Sequence, residues 1–153
     1  MLEIFNLKRK QEYIHEVAIL TQKEWGQKTN SKEELEKKVQ YKIEKIKSSF
    51  NKEYYCKLIL LDNENLVGFI SIFPQDCEER KDLFPWYATM YVKEEYRGNG
   101  YSKMLNDAIL KQAKDRKIKR IYLKTVLENY YEKFGAKFLE KLNNNEKIYY
   151  FDL

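Results

Sequence analysis

Met90-Tyr91-Val92-Lys93-Glu94-Glu95-Tyr96-Arg97-Gly98-Asn99-Gly100-Tyr101-Ser102-Lys103-Met104 packs a strand, a glycine-bearing turn and a helix start into fifteen consecutive residues. Gly98 and Gly100 allow the backbone to take positive φ and to approach a ligand with no Cβ in the way. The helix beginning near Tyr101 turns its first, intrahelically unpaired N–H groups toward the same space. Orphan donors and the macrodipole together favour an anion there, and Arg97 adds a permanent cation at the edge. The stretch reads as a phosphate-binding turn, and the rest of the chain can be placed around it.

Two common phosphate-binding patterns fail on these letters. The dinucleotide fingerprint wants a third glycine where Lys103 stands, and the P-loop wants a Gly-Lys-Ser/Thr ending that is absent. Arg97, Gly100 and Ser102 do meet an Arg/Gln-x-x-Gly-x-Gly/Ala pattern, with Ser102 as a small departure. Met90, Val92, Tyr96 and Leu105 supply its apolar and aromatic flanks. Downstream, Tyr130-Tyr131-Glu132-Lys133-Phe134-Gly135-Ala136-Lys137-Phe138 carries a Tyr-Glu-Lys-x-Gly segment, with Ala136 in place of an aromatic after the glycine.

Together these stretches resemble the GCN5-related N-acetyltransferase (GNAT) superfamily, in its pyrophosphate loop and at the end of its last helix. Glu94 stands where that family often has proline. The resemblance implies a single α/β domain over residues 1–153, with a mixed, mostly antiparallel sheet of about seven strands flanked by about four helices. It implies acetyl-CoA as cosubstrate, held by Met90, Tyr91, Val92, Arg97, Gly98, Asn99, Gly100, Tyr101 and Ser102. A backbone N–H near Val92 would polarise the thioester carbonyl, and Tyr131 would face the CoA sulfur. Many family members have a longer segment, with an asparagine and an alanine, before the tyrosine helix. Thr125 to Asn129 is too short to carry both, so no CoA contact is transferred to Asn129.

Length and composition agree with this reading. A chain of 153 residues can bury a core and is too short for two ordinary domains. No apolar run is long enough to cross a membrane, and Met-Leu-Glu-Ile-Phe-Asn lacks the basic start and apolar centre of a signal peptide, so a cytoplasmic location and no membrane partner are expected. Cys56 and Cys77 fall in no ligand pattern; Cys56 reads as core and Cys77 as a loop thiol. With one histidine in the chain, a metal site and a Ser-His-Asp or Cys-His mechanism are poorly supplied. The formal charge is +5, but Lys and Arg are interleaved with Asp and Glu, which marks a solvated surface rather than a nucleic-acid interface. A monomer or homodimer is expected.

Leu2 to Asn6 reads as an edge strand. Gln11 to Trp25 reads as a helix with Ile14, Val17, Ala18, Thr21 and Trp25 on one face, leaving His15 on the solvated side and Gly26 as its stop. Ser31 and Glu34 have the spacing of a capping box for a second helix carrying Leu35, Val39, Ile43 and Ile46. Tyr54 to Leu61 and Leu66 to Phe73 read as a hairpin, with Gly68 marking a bulge or a close contact. Pro85 to Val92 leads into the glycine turn. The helix from Tyr101 is amphipathic, Arg120 to Lys124 is a strand, Glu128 to Phe134 is a short helix stopped by Gly135, and the chain ends in a hairpin.

Acetyl transfer to an amine needs a neutral amine near the thioester, donors for the developing oxyanion and a proton for the departing thiolate. Tyr131 suits the last task, since a phenol stays protonated at neutral pH; its neighbour Tyr130 reads as packing. A general base is open among Glu24, Asp76, Glu78 and a water chain. Asp76, Glu78, Glu79 and Asp82 either border the acceptor mouth or form a solvated loop. Trp25 either touches the substrate or packs in the core, and Trp86 is expected to join it as an aromatic wall of the acceptor site. The expected function is acetyl-CoA-dependent transfer to a primary amine of a small molecule or peptide. A GNAT-fold CoA sensor without turnover, which would not need Tyr131, and a small basic RNA- or ribosome-binding module are the alternatives.

Overall fold

The computed structural model describes residues 1–153. The elements run β1 (Leu2–Asn6), α1 (Ile14–Trp25), α2 (Lys32–Ser49), β2 (Cys56–Asp62), β3 (Asn65–Phe73), β4 (Trp86–Val92), α3 (Tyr101–Asp115), β5 (Arg120–Thr125), β6 (Lys137–Lys141) and β7 (Lys147–Asp152). All seven strands form one sheet of order β1-β2-β3-β4-β5-β7-β6. Every neighbouring pair is antiparallel except β4 and β5, which are parallel.

Alternation along β2 explains the two layers. Leu58 and Leu60 point to α3, whose Leu105, Ile109 and Ala113 are fully buried, while Ile59 and Leu61 point to Val17 and Ala18 of α1 and Val39, Ile43 and Ile46 of α2. A third, small cluster joins Trp86, Cys77, Leu142 and Ile148. Cys77 lies in the loop between β3 and β4, as expected, and its thiol is buried there.

Local signals set most boundaries. Ser31 Oγ accepts the Glu34 N–H at 3.1 Å as the N-cap of α2. The return half of the capping box passes through Thr29, whose Oγ1 accepts the Ser31 N–H at 3.2 Å and donates to Glu34 at 2.9 Å. Gln11–Tyr13 is a 3₁₀ turn, so α1 begins only at Ile14. The fourth helix expected at Glu128 to Phe134 is a single 3₁₀ turn, Tyr131–Phe134. Asn129 (φ +59°) and Gly135 (φ +98°) are left-handed on either side of it, and four residues cannot repay the cost of a helical nucleus.

Two irregularities in the sheet shape its centre. Phe69 pairs with Tyr91 and Ser71 with Ala88, so Thr89 and Met90 of β4 together face the single residue Ile70 of β3. Thr89 takes φ +50°, a left-handed conformation unusual for a β-branched residue. Next to this bulge, Gly68 pairs with Val92, and a Cβ at position 68 would stand 2.4 Å from the Tyr91 carbonyl oxygen. The second irregularity is between β4 and β5, which pair only at Trp86 and Tyr122 and then separate.

Candidate active site

The separation of β4 from β5 opens a cleft with two limbs. The first, of about 420 Å³, runs along Met90, Tyr91 and Val92 to the turn at Arg97, Gly98, Gly100, Tyr101 and Ser102. The second, of about 640 Å³, is walled by Trp25, Asp76, Ala88, Thr89, Lys124 and Glu146. Glu24, Met90, Leu127 and Tyr131 line both, so the limbs meet at these four side chains.

The glycine turn has the chemistry of an anion cradle. Gly98 (φ +82°) and Gly100 (φ +79°) are left-handed, and a Cβ at either would project into space with no protein atom within 4 Å. Gly100 is the N-cap of α3, its carbonyl accepting the Met104 N–H at 3.3 Å. The N–H groups of Gly98, Asn99 and Gly100, and those of Tyr101, Ser102 and Lys103 in the first turn of α3, have no partner in the protein. Asn99 points its side chain back to the Tyr96 carbonyl at 3.0 Å, bracing the turn from behind. Arg97 donates from Nε to the Val92 carbonyl at 2.9 Å and has no carboxylate partner. The donors and the room beside them fit a pyrophosphate.

Tyr131 stands where the limbs join. Its ring is edge-on to Tyr87 at 5.7 Å and to Tyr130 at 4.8 Å, and its hydroxyl makes no hydrogen bond within the protein. Burial, with a smaller contribution from Tyr130, pushes the phenol up to about 12, so it is protonated at neutral pH. Tyr130 is held from the other side by Lys133, whose Nζ lies 4.1 Å from its ring centre.

The second limb is acidic. Glu24, Asp76 and Glu146 line it against the single cation Lys124. Burial raises the Asp76 carboxyl to about 6; Lys124 opposes the shift and Glu146 adds to it. The other acids of the same loop lie elsewhere: Glu78 pairs with Lys81 at 3.3 Å, Asp82 with Arg80 at 2.9 Å, and Glu79 accepts from the Cys77 thiol at 3.3 Å. Of the four loop carboxylates, only Asp76 reaches the cleft. Trp25, half exposed, walls this limb with its ring edge-on to Phe69 and Tyr91. Trp86 does not: it is fully buried, donates from Nε1 to the Leu83 carbonyl at 2.7 Å and packs on Tyr122.

Sequence reasoning missed Glu146, Leu127 and Thr89, which arrive from turns and a bulge with no local signature. No group of three or more His, Cys, Asp or Glu side chains could hold a metal ion, and no helix is long and apolar enough to cross a membrane.

Comparison with known proteins gives a consistent result. A family model described as "Acetyltransferase (GNAT) family" matches residues 14–136. Spermine/spermidine N(1)-acetyltransferase of Bacillus subtilis (strain 168) is 33% identical over 105 residues, 62% of this chain and 68% of that protein. An acetyltransferase of the GNAT family from Staphylococcus aureus Mu50 superposes with a TM-score of 0.68 at 20% identity, over 100% of this chain and 99% of the other. The PaiA N-acetyltransferase of Thermoplasma acidophilum, solved in complex with coenzyme A, does so with a TM-score of 0.67 at 21% identity, over 100% and 99% of the two chains.

Proposed function

The chain belongs to the acetyltransferase (GNAT) family, and on that premise we propose that it transfers an acetyl group from acetyl-CoA to a primary amine of a cationic small molecule, a polyamine first among them. One observation carries this reading: an anion cradle and an acidic limb open into one cleft and meet at a neutral tyrosine hydroxyl. Acetyl-CoA supplies the activated acetyl group. The N–H groups of Gly98 to Ser102, with Arg97 beside them, would hold its pyrophosphate, and the strand edge from Met90 to Val92 would receive the pantetheine arm.

The protein's own residues then divide the work. Asp76, Glu146 and Glu24 attract and orient a polycation, and Trp25 covers its methylene chain. That the relative at 33% identity is named for spermine and spermidine supports this choice of acceptor. Tyr131 presents its hydroxyl at the junction. Full transfer from a phenol near 12 to a thiolate whose thiol lies near 8.5 would leave a phenolate behind at a cost of roughly 5 kcal/mol. Tyr131 therefore shares its proton with the leaving sulfur in a hydrogen bond, and the proton that finally stays on sulfur is one shed by the acceptor nitrogen.

A thiol-release assay across polyamines, amino acids and peptides tests the reading. A polyamine should be the best acceptor. Asp76→Asn combined with Glu146→Gln should lower its kcat/KM by about 30-fold, at roughly 1 kcal/mol for each solvated charge pair. An anionic best acceptor, or an unchanged kcat/KM in the double variant, would count against it.

A further inference from the structure

Lys57 is a buried lysine without a counter-ion. On β2 it shares a face with Ile59 and Leu61, beneath α1 and α2, and is 2% exposed. No carboxylate pairs with it. Its Nζ lies 3.4 Å from Thr89 Oγ1 and above the rings of Phe69 and Phe73, at 5.2 and 5.5 Å. Thr89 Oγ1 is in turn 2.6 Å from the hydroxyl of Ser71, which is fully buried. Thr89 is the left-handed residue of the β4 bulge, and it lines the acidic limb of the cleft. A path of polar atoms thus leads from that limb, through one hydroxyl, to a buried amine.

Around this amine, α2 brings Lys42, β3 brings the Ser71 hydroxyl and the faces of Phe69 and Phe73, and β4 brings Thr89. Lys57 also lines a cavity of about 420 Å³ with the cations Lys8, Arg9 and Arg116, so the charged groups nearest it are all positive. The carboxyls of Glu24, Asp76 and Glu146 line the cleft, none of them hydrogen-bonded or paired to Lys57. Burial, followed by Lys42, pushes the amine from its ordinary 10.5 down to about 7. A group near 7 is suited to proton transfer at neutral pH.

We propose that Lys57 is the proton acceptor for the incoming ammonium, reached through the Thr89 hydroxyl. The inference rests on the acetyl-transfer reading. The acceptor ammonium gives a proton to Thr89 Oγ1 as the hydroxyl's own proton passes to Lys57 Nζ, leaving a neutral amine with a free lone pair and an ammonium on Lys57. The amine nitrogen then bonds to the acetyl carbon as the carbon–sulfur bond breaks, and its next proton goes to sulfur. Lys57 returns its proton through Thr89 to water in the cleft before the next cycle. Thr89 touches the substrate; Lys57 acts through it.

Two measurements test this. In the ligand-free protein with ¹³C-labelled lysine, one Cε resonance should titrate near pH 7 and vanish in Lys57→Met. In steady-state kinetics, kcat/KM should rise with pH through an inflection near 7. That inflection should be lost, with kcat about 10²-fold lower, in Lys57→Met and Thr89→Ala, and retained in Thr89→Ser. Acetyl-CoA affinity by calorimetry should stay within a few fold in all three. A Lys57 resonance titrating near 10.5 overturns the proposal, as does a Lys57→Met enzyme with the wild-type profile, or an inflection removed by Asp76→Asn instead. A wild type that acetylates no amine overturns the acetyl-transfer reading and this role with it. An active wild type whose profile ignores Lys57 overturns this role alone.

Discussion

Replacing Lys57 with methionine should make the protein more stable, by an amount that shrinks as pH rises. The folded amine holds its proton only below about 7, whereas the unfolded chain holds it up to about 10.5. Between those values the unfolded state binds more protons, so wild-type stability increases with pH across that window. Below pH 7 the cost of burying Lys57 is fully present. Each pH unit above that recovers about 1.4 kcal/mol, which leaves a cost of about 4 kcal/mol at pH 7, about 2 kcal/mol at pH 9 and none above about 10.5. Methionine keeps the unbranched apolar stem and removes the charge. Urea unfolding can be followed through Trp86, which is fully buried in the folded protein. At about 2 kcal/mol per molar urea, the midpoint of Lys57→Met should exceed that of wild type by about 2 M at pH 7 and about 1 M at pH 9. Parallel stability curves for the two proteins between pH 7 and 9 would show that Lys57 is not a buried neutral amine. A gain in stability joined to a loss of turnover is the trade expected where a site needs a destabilising group.

Two further outcomes follow from the cleft. Gly100→Val places a branched Cβ in the open space before the unpaired N–H groups at φ +79°, and should weaken CoA binding by 100-fold or more, on the order of 3 kcal/mol of lost contacts and backbone strain; undiminished affinity by calorimetry in the folded variant would remove the turn from the site. Tyr131→Phe removes one hydrogen-bond donor to the charge developing on sulfur, and should lower kcat by about 10²-fold and leave acetyl-CoA affinity within a few fold. Wild-type turnover in that variant would return Tyr131 to packing.

The parts legible in the sequence are those encoded over a few residues. Gly98, Gly100 and the periodicity of Leu105, Ile109 and Ala113 specify a turn and an amphipathic helix, and Ser31 with Glu34 marks the start of α2. Gly68 pointed to a close contact, and the contact is with the Tyr91 carbonyl. What could not be read depends on partners distant in the chain. The bulge at Thr89 exists only relative to the register of β3. Glu146 enters the cleft because β7 lies next to β5, and Trp86 is buried because Cys77, Leu142 and Ile148 close over it. Lys57 leaves a trace in the sequence. The run Cys56 to Leu61 is apolar on both faces, so both faces are covered and a lysine inside it must be buried.

Because β4 and β5 pair only at Trp86 and Tyr122, this seven-stranded sheet has, besides its two outer edges, a pair of inner ones where those strands part. The outer pair carries ordinary protection: β1 is five residues long, and β6 is bracketed by Lys137 and Lys141. The inner pair faces itself across the cleft, and Trp25 and Leu127 stand beside the opening. Along the gap both edges lack a strand partner, which leaves their backbone donors and acceptors to something thin and extended. A linear molecule carrying amide groups would find two strand edges to pair with there, as an added strand does at the rim of a sheet.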